Sequence, residues 1–349
     1  MCMMLMLAPA YADRLSLDVL PMGEHNEPSP KVALVLSGGG AKGFAHVGVI
    51  RVLEEAGIPI DLVIGASMGG IVAALYAAGY SPGDMEQMSE LTDWRALFSS
   101  PASISPYMTA PVLQTHHNIL SVSFDKHGVG RSLGLVPDHR IVSQVSRITY
   151  KTSHIRDYDQ LHIPLRIAAA DIFTGELVML NHVPLHAAMR ATMAIPGIFS
   201  PHYVDGRYLV DGGVVNNLPV SAARDLGADV VISVNVMGDI KSEKGELTSP
   251  LSVVTQAGQL MILNPMRSEI EQSDLHIAVS FLEYSAMEFW RYRDFFTKGE
   301  QAARDAWEDI TALAESVAVH RELKPQDPDR QGAYCLINKS YPSRPMPHK

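Results

Sequence analysis

The sequence is poor in the residues that several protein classes require. Its 349 residues include two cysteines, Cys2 and Cys335, near opposite ends of the chain. This excludes a disulfide-built miniprotein and a zinc or iron–sulfur site made of cysteines. Basic residues are also outnumbered, since 28 Lys and Arg against 38 Asp and Glu give a net charge of −10. A chain this acidic lacks the electrostatic footprint of a nucleic-acid-binding protein, so we expect no nucleic acid partner.

The N-terminus has the features of an export signal without the basic start. Residues 1–12 form an uncharged apolar run that ends in Ala10-Tyr11-Ala12, which is typical of a signal peptidase site. The run is too short to span a bilayer. We therefore predict that residues 1–12 are the remnant of a signal peptide and that the protein is periplasmic or secreted. The alternative is an apolar tail on a cytoplasmic protein that contacts the membrane peripherally.

Strands and helices alternate near the start of the chain. Val32–Leu36 and Leu62–Ile64 are continuous apolar runs, the pattern of strands buried on both faces. Helical periodicity follows them at Ala45–Ala56 and Gly69–Tyr80. This order and spacing predict a parallel sheet with right-handed crossovers. The hydrophobic and charged fractions, 47% and 19%, also fit a folded globular protein.

The rest of the chain predicts further elements of a single domain. Residues 13–30 have linker composition, residues 31–320 form the predicted domain, and residues 321–349 are a polar, proline-rich tail. Ser81–Leu161 is less regular and predicts helices and loops that cover the sheet. The later predicted elements are a β-hairpin of Leu165–Ile172 and Leu177–Leu180, strands at Tyr208–Val210, Asp229–Val236 and Leu275–Val279, and helices at Ser252–Ile270 and Gly299–Val317.

A G-x-S-x-G motif follows the second predicted strand, at the sheet edge where open α/β proteins bind ligands. It is Gly65-Ala66-Ser67-Met68-Gly69. A serine hydroxyl becomes a nucleophile when a tight turn at a helix N-terminus holds it out of its strand, and Gly65 and Gly69 remove the backbone clash of such a turn. Ser67 is therefore a candidate nucleophile. The same pattern also fits a serine that only caps its helix.

A second glycine-rich turn, residues 37–43, follows the first strand. Consecutive glycines let successive N–H groups converge on one point, as an oxyanion hole requires. Gly38, Gly39 and Gly40 are therefore candidate donors, and Lys42 adds positive charge at the mouth. The spacing of Gly38, Gly40 and Gly43 also matches a dinucleotide-binding fingerprint, but the acidic residue expected at the end of the next strand is missing.

Asp211-Gly212-Gly213 follows a later strand and presents a carboxylate where the backbone turns sharply. A plain Asp-Gly turn is the simpler reading of this motif alone. None of the 14 histidines occupies such a glycine-framed turn. Pro184 breaks the helix that would align His182 with His186 as metal ligands, so we predict no metal site.

Taken together and in this order, the three motifs resemble the patatin-like phospholipase family. The match covers residues 38–43, 65–69 and 211–219, and Arg190–Phe199 is similar to the bacterial members of the family. The similarity is strong over residues 31–236 and weak over the predicted C-terminal helices at 250–320.

The resemblance implies a fold and an activity. The fold is an α/β protein, a three-layer α/β/α sandwich with a mostly parallel central sheet. The activity is that of a lipid acyl hydrolase of phospholipase A or lysophospholipase type without metal or cofactor, in which Ser67 is the nucleophile and Asp211 the proton acceptor. Gly38, Gly39 and Gly40 with Lys42 form the implied oxyanion hole.

The resemblance further implies a lipid or phospholipid substrate and peripheral contact with a membrane. Two alternatives stay open: an esterase acting on small soluble esters, and a non-catalytic module that binds lipid or nucleotide. The acyl-binding groove is expected within Ser81–Leu161. Seven apolar residues there belong either to the core, which is favoured by default, or to an acyl channel: Met85, Met88, Trp94, Leu97, Phe98, Tyr107 and Met108.

Overall fold

A strand buried along its whole length lies at the centre of the protein. The computed structural model describes residues 30–98, 122–125, 128–131, 139–238, 265–281 and 284–321. All five residues of the strand Val32–Leu36 are buried. The predicted signal peptide remnant, nearly all of the linker and nearly all of the tail lie outside the described residues, so these domain boundaries stay predictions.

The predicted alternation of strands and helices is present in the described residues. The strands are β1 (Val32–Leu36), β2 (Leu62–Ala66), β3 (Val122–Asp125), β4 (Gly128–Arg131), β5 (Leu165–Asp171), β6 (Leu177–Leu180), β7 (His202–Val204), β8 (Arg207–Asp211), β9 (Val230–Asn235) and β10 (Leu275–Ala278). The helices are α1 (Ala45–Glu55), α2 (Ser67–Ala77), α3 (Pro82–Glu90), α4 (Trp94–Phe98), α5 (His139–Ile148), α6 (Leu185–Thr192), α7 (Val220–Asp225), α8 (265–270), α9 (Tyr292–Asp305) and α10 (Trp307–Arg321).

Eight of these strands form one mixed sheet. Seven run in the order β10-β9-β1-β2-β5-β8-β7, and β6 also pairs with β5. The strands from β10 to β5 are parallel, whereas β6, β7 and β8 run antiparallel to their neighbours. The separate strands β3 and β4 form an antiparallel pair. The predicted parallel sheet and the β5–β6 hairpin are therefore confirmed.

Alternate residues of β1 face two layers of helices. Val32, Leu34 and Leu36 belong to a larger core that includes α1, α2 and α9. Ala33 and Val35 belong to a smaller core that includes α7 and α8. Because the central strand buries both faces, the sheet lies between two helical layers, and the predicted α/β/α sandwich is confirmed.

Strands β2 and β8 pair with the same edge of β5, β2 along its first part and β8 along its last part. Ala168 of β5 is paired with Ala66, the last residue of β2, and the next residue, Ala169, is paired with Asp211 of β8. Both alanines pair with β6 along the opposite edge. The end of β2, which Ser67 follows directly, therefore meets the end of β8 at Asp211.

Two helix predictions differ from the structure. Helix α2 begins at Ser67, before the predicted Gly69, because the chain passes from β2 into the helix with no intervening loop. The single helix predicted over Gly299–Val317 is wrong: α9 and α10 are separated at Ala306, and α9 begins at Tyr292. Of the predicted helix Ser252–Ile270, only residues 265–270 are described, and they are helical.

Helix α1, which follows the first glycine turn, packs closely against α9. A Cβ atom on Gly299 would collide with the backbone carbonyl of Ala45, and one on Gly48 would collide with the carbonyl of Phe296. Two glycines at the crossing therefore let the helix backbones touch. This contact fixes the position of α1 and of the turn before it.

Replacing Gly299 with alanine should destabilise the protein. The added methyl group has no room at the α1–α9 crossing, and overpacking of this kind costs about 1–3 kcal/mol. The measurement is the free energy of unfolding in urea. The matched control is Gly83→Ala in α3, where the nearest atom to a new Cβ would be the Ser81 hydroxyl at 3.8 Å. Equal loss of stability in both variants would contradict the packing argument.

Candidate active site

Ser67 lies in a strained backbone conformation between β2 and α2. Its φ angle is +51°, in the left-handed region that residues with a side chain rarely adopt. The residue is 7% exposed. As the first residue of α2, Ser67 stands at the helix N-terminus, where negative charge is stabilised. This is the geometry of a nucleophile elbow.

The flanking glycines allow the elbow to fit under the first turn. A Cβ atom on Gly69 would lie 2.5 Å from the carbonyl oxygens of both Leu36 and Ser37. A Cβ atom on Gly65 would collide with the Gly69 carbonyl. The G-x-S-x-G spacing thus has a direct steric cause in this structure.

Thr192, at the end of α6, holds the backbone of Ser67. Its hydroxyl accepts the Ser67 N–H at 2.8 Å and donates to the carbonyl of Ala168 at 2.6 Å. Thr192 is fully buried. Sequence reasoning missed this role, although Thr192 lies in the segment Arg190–Phe199 that carried part of the family resemblance.

Asp211 is the last residue of β8 and is 6% exposed. Its carboxylate accepts a hydrogen bond from the Ser67 side chain and one from the Gly213 N–H, at 2.8 Å. Burial raises the pKa of Asp211 to about 6, although both hydrogen bonds act to lower it. The site therefore contains a serine hydroxyl bonded to an unusually basic carboxylate.

The turn at Gly38 lies against Ser67. A Cβ atom on Gly38 would be 2.8 Å from the Ser67 Cβ, so glycine is needed for this approach. The Gly38 N–H donates to Asn217, at 3.1 Å to Oδ1 and 3.3 Å to the backbone oxygen. The Asn217 amide donates back to the Gly38 carbonyl at 3.3 Å. Asn217 therefore joins the first glycine turn to the loop that follows Asp211.

This contact changes the predicted set of oxyanion-hole donors. The Gly38 N–H is already bonded to Asn217, so Gly38 serves the close approach to Ser67 rather than offering a donor. The N–H groups of Gly39 and Gly40 donate to no acceptor within the described residues, and they remain the candidate donors. Lys42 lies in the 3-10 turn that follows, where burial lowers its pKa.

The other motif glycines also lie in tight contacts. They are Gly43, Gly212 and Gly213, and a Cβ atom on each would lie 2.6 Å or less from a neighbouring backbone or side-chain atom. The three motifs are therefore packed on one another as well as near one another.

His46, in α1, is hydrogen-bonded to the start of the first glycine turn. Its Nε2 donates to the Ser37 carbonyl at 2.8 Å, and burial lowers the pKa of His46 to about 4, so the ring is neutral. Within the described part of the chain, no histidine is hydrogen-bonded to Ser67 or Asp211. The same residues contain no group of three or more His, Cys, Asp or Glu that could hold a metal ion.

The comparison with known families agrees with this geometry. Residues 34–224, more than half of the chain, match the family model described as patatin-like phospholipase. The chain belongs to the patatin-like phospholipase family.

Relatives within this family are moderately similar. An uncharacterized NTE family protein of Mycobacterium tuberculosis is 34% identical over 210 residues, which is 60% of this chain and 50% of that protein. Human patatin-like phospholipase domain-containing protein 6 is 31% identical over 258 residues, 72% of this chain and 16% of that protein. The chain thus spans about half the length of the mycobacterial relative. The crystal structure of VipD from Legionella pneumophila is 14% identical with a TM-score of 0.42, covering 81% of this chain and 67% of that one, a likeness too remote to argue from.

An apolar cavity of about 150 Å³ lies beside Ser67 in this patatin-like chain. Four of the seven residues considered for core or channel line it: Met85, Met88, Trp94 and Leu97. Tyr107, Met108 and the side chain of Phe98 lie outside what the structure describes. No helix in the described ranges is long and apolar enough to cross a membrane.

Replacing Thr192 with valine should disorder the elbow. Valine keeps the shape but leaves the buried Ser67 N–H and Ala168 carbonyl without partners, at a cost of about 1–3 kcal/mol. We expect Ser67 to react with a fluorophosphonate at least about tenfold more slowly, because a misplaced nucleophile loses its alignment. Thr192→Ser keeps the hydroxyl and should react at nearly the wild-type rate. If serine and valine have the same effect, the hydroxyl is not what positions Ser67.

Replacing Asp211 with asparagine should stabilise the protein above pH 6. The folded-state pKa of about 6 exceeds the ordinary value of 3.8, so the wild type loses stability as pH rises through 6 and the carboxylate ionises. The gain in the free energy of unfolding expected from Asp211→Asn is about 3 kcal/mol at pH 8 and vanishes near pH 4. Urea unfolding at both pH values measures it.

The control is Asp171→Asn, at another buried aspartate. Asp171 accepts the N–H groups of Phe173 and Thr174 at 2.9 and 3.3 Å. Weakening these bonds should destabilise the protein at pH 8. A loss of stability in Asp211→Asn equal to that in Asp171→Asn would contradict the desolvation of Asp211.

Proposed function

We propose that this chain is a lipid acyl hydrolase, a phospholipase A or lysophospholipase-like enzyme that cleaves carboxylic esters. The observation that carries the proposal is the hydrogen bond between the strained Ser67 and the buried Asp211 beside an apolar cavity. Membership in the patatin-like phospholipase family supports it. The cavity favours an ester with a hydrocarbon chain over small soluble esters, because its lining is almost entirely apolar.

In the first half of the proposed reaction, Ser67 attacks the ester carbonyl. The Ser67 Oγ forms a bond to the carbonyl carbon while its proton passes to Asp211, which is ionised above pH 6. The Gly39 and Gly40 N–H groups stabilise the negative oxygen of the tetrahedral intermediate. Collapse breaks the bond to the alcohol, which leaves with the proton from Asp211, and Ser67 stays acylated.

In the second half, water releases the acyl group. Asp211 takes a proton from a water molecule, whose oxygen attacks the acyl carbon, and the second tetrahedral intermediate forms in the same hole. Its collapse breaks the bond to Ser67, which recovers the proton as the fatty acid leaves. A carboxylate thus performs the proton transfers that histidine performs in a Ser-His-Asp triad.

Two features of the proposal rest on the sequence. Export to the periplasm or beyond depends on the apolar start and Ala10-Tyr11-Ala12. Contact with the membrane is proposed to be peripheral and apolar, because the net charge of −10 does not favour anionic lipid. Membrane binding should therefore depend only weakly on salt.

Covalent labelling tests the nucleophile. The wild type should react with a fluorophosphonate probe and Ser67→Ala should not, since the proposed nucleophile is gone. Ser153→Ala, at an exposed serine outside the site, should label like the wild type. Equal labelling of Ser67→Ala and Ser153→Ala would overturn the assignment.

A further inference from the structure

The cavity follows one face of α2 away from Ser67. Besides Ser67, the helix contributes Met68, Ile71, Val72 and Leu75 to the lining. Their spacing places them on one side of the helix, one above the other. Leu75 lies eight positions after Ser67, which corresponds to about 12 Å along the helix axis. The cavity is therefore an elongated channel that starts at the nucleophile.

Helix α5 forms another wall of this channel. Its lining residues Ile141, Val145 and Ile148 recur at helical spacing. Together with the apolar face of α2, they give the channel long hydrocarbon walls.

Two hydroxyls in the lining, on Ser89 of α3 and on Thr92 just after it, are bonded to backbone carbonyls of α3. The hydroxyl of Ser89 donates to the Met85 carbonyl at 2.8 Å, and that of Thr92 donates to the Met88 carbonyl at 2.7 Å. Gln144 of α5 also lines the cavity. The other lining side chains past Ser67 offer mostly hydrocarbon contact, which suits an alkyl chain.

Leu75 is the lining residue of α2 farthest from Ser67, and Ile148 is the last lining residue of α5. Both line the cavity, and Leu75 is 9% exposed. The Tyr80 hydroxyl donates to the Ile148 carbonyl at 2.7 Å, which ties the turn after α2 to the end of α5. The segment after α2 and the end of α5, and with them Leu75 and Ile148, are therefore linked through Tyr80.

We propose that Leu75 and Ile148 set the length of the acyl chain that the enzyme accepts. This inference rests on the proposed hydrolase function. An extended chain with carbon–carbon bonds of about 1.5 Å advances about 1.3 Å per carbon, so a 12 Å channel takes about nine carbons beyond the carbonyl. The preferred substrate class is therefore an ester of a medium-length fatty acid, of about ten carbons.

The chain-length profile follows from burial. Each methylene that enters the channel should raise kcat/KM about fourfold, because one buried methylene contributes about that factor to binding. The increase should stop at about ten carbons, where the chain reaches Leu75 and Ile148. Longer chains must bend or remain in water, and their kcat/KM should level off or fall.

A series of nitrophenyl esters from four to sixteen carbons tests the proposal. Leu75→Ala removes the end of the channel and should move the optimum to esters about two or three carbons longer. Ile148→Trp should move it to shorter esters. The control is Leu53→Ala, the same truncation at a buried leucine that does not line the cavity, and it should leave the optimum at the wild-type length. An optimum that stays unchanged in both Leu75→Ala and Ile148→Trp would overturn the proposal.

Calorimetric binding of free fatty acids separates this proposal from the proposed function. If the wild type hydrolyses no ester yet binds fatty acids with an affinity that rises to about ten carbons, the channel stands and the hydrolase function fails. If it hydrolyses all esters at rates independent of chain length, the hydrolase function stands and the channel proposal fails.

Discussion

The shared edge of β5 is the constraint on which the site depends. Ala168 pairs with the end of β2 and Ala169 with the end of β8, so two strands that run in opposite directions meet end to end along β5. Ser67 and Asp211, far apart in the sequence, become neighbours for this reason. Thr192 bonds both the Ala168 carbonyl and the Ser67 N–H, which ties Ser67 to the same strand. The register of one strand thus aligns Ser67 with Asp211, the two residues of the proposed dyad.

In the proposed mechanism, burial of Asp211 makes its carboxylate a base, at a cost in the stability of the fold. Histidine suits proton transfer because its ordinary pKa lies near neutrality. Desolvation raises the pKa of Asp211 to about 6, close to that of imidazole, so a carboxylate becomes a comparable base. The Gly213 N–H and the Ser67 hydroxyl keep the ionised form bonded. A site that is strained at Ser67 and destabilised at Asp211 is typical of active sites that trade stability for activity.

Much of the framework was predictable because it depends on local patterns. Continuous apolar runs identify β1 and β2, and glycine spacing identifies the elbow and the first turn, since each pattern reflects a steric need of its own segment. The start of α2 at Ser67 was missed because propensity does not reveal that a strand passes directly into a helix. The start of α9 before the predicted Gly299 does have a signal in the sequence, because Phe295 and Phe296 extend the apolar face to which Gly299 belongs.

Partners supplied by distant segments were not predictable. Asn217 accepts a hydrogen bond from the Gly38 N–H, and Thr192 accepts one from the Ser67 N–H. Both contacts exist only once the sheet has formed. The link between the segment after α2 and the end of α5 likewise depends on a contact between distant residues, from the Tyr80 hydroxyl to the Ile148 carbonyl. Sequence patterns indicate which side chains are available but not which buried N–H group they satisfy.

The pH dependence of Ser67 phosphonylation tests the central claim, that a desolvated Asp211 activates this serine. Its rate should rise from pH 4.5 to 8 with one ionisation near pH 6, because only the deprotonated carboxylate accepts the proton. The neighbouring His46 should not contribute, since it titrates at about 4 and is bonded to Ser37. A rate that stays constant over this range, or the same pH dependence in Asp211→Asn, would contradict the account.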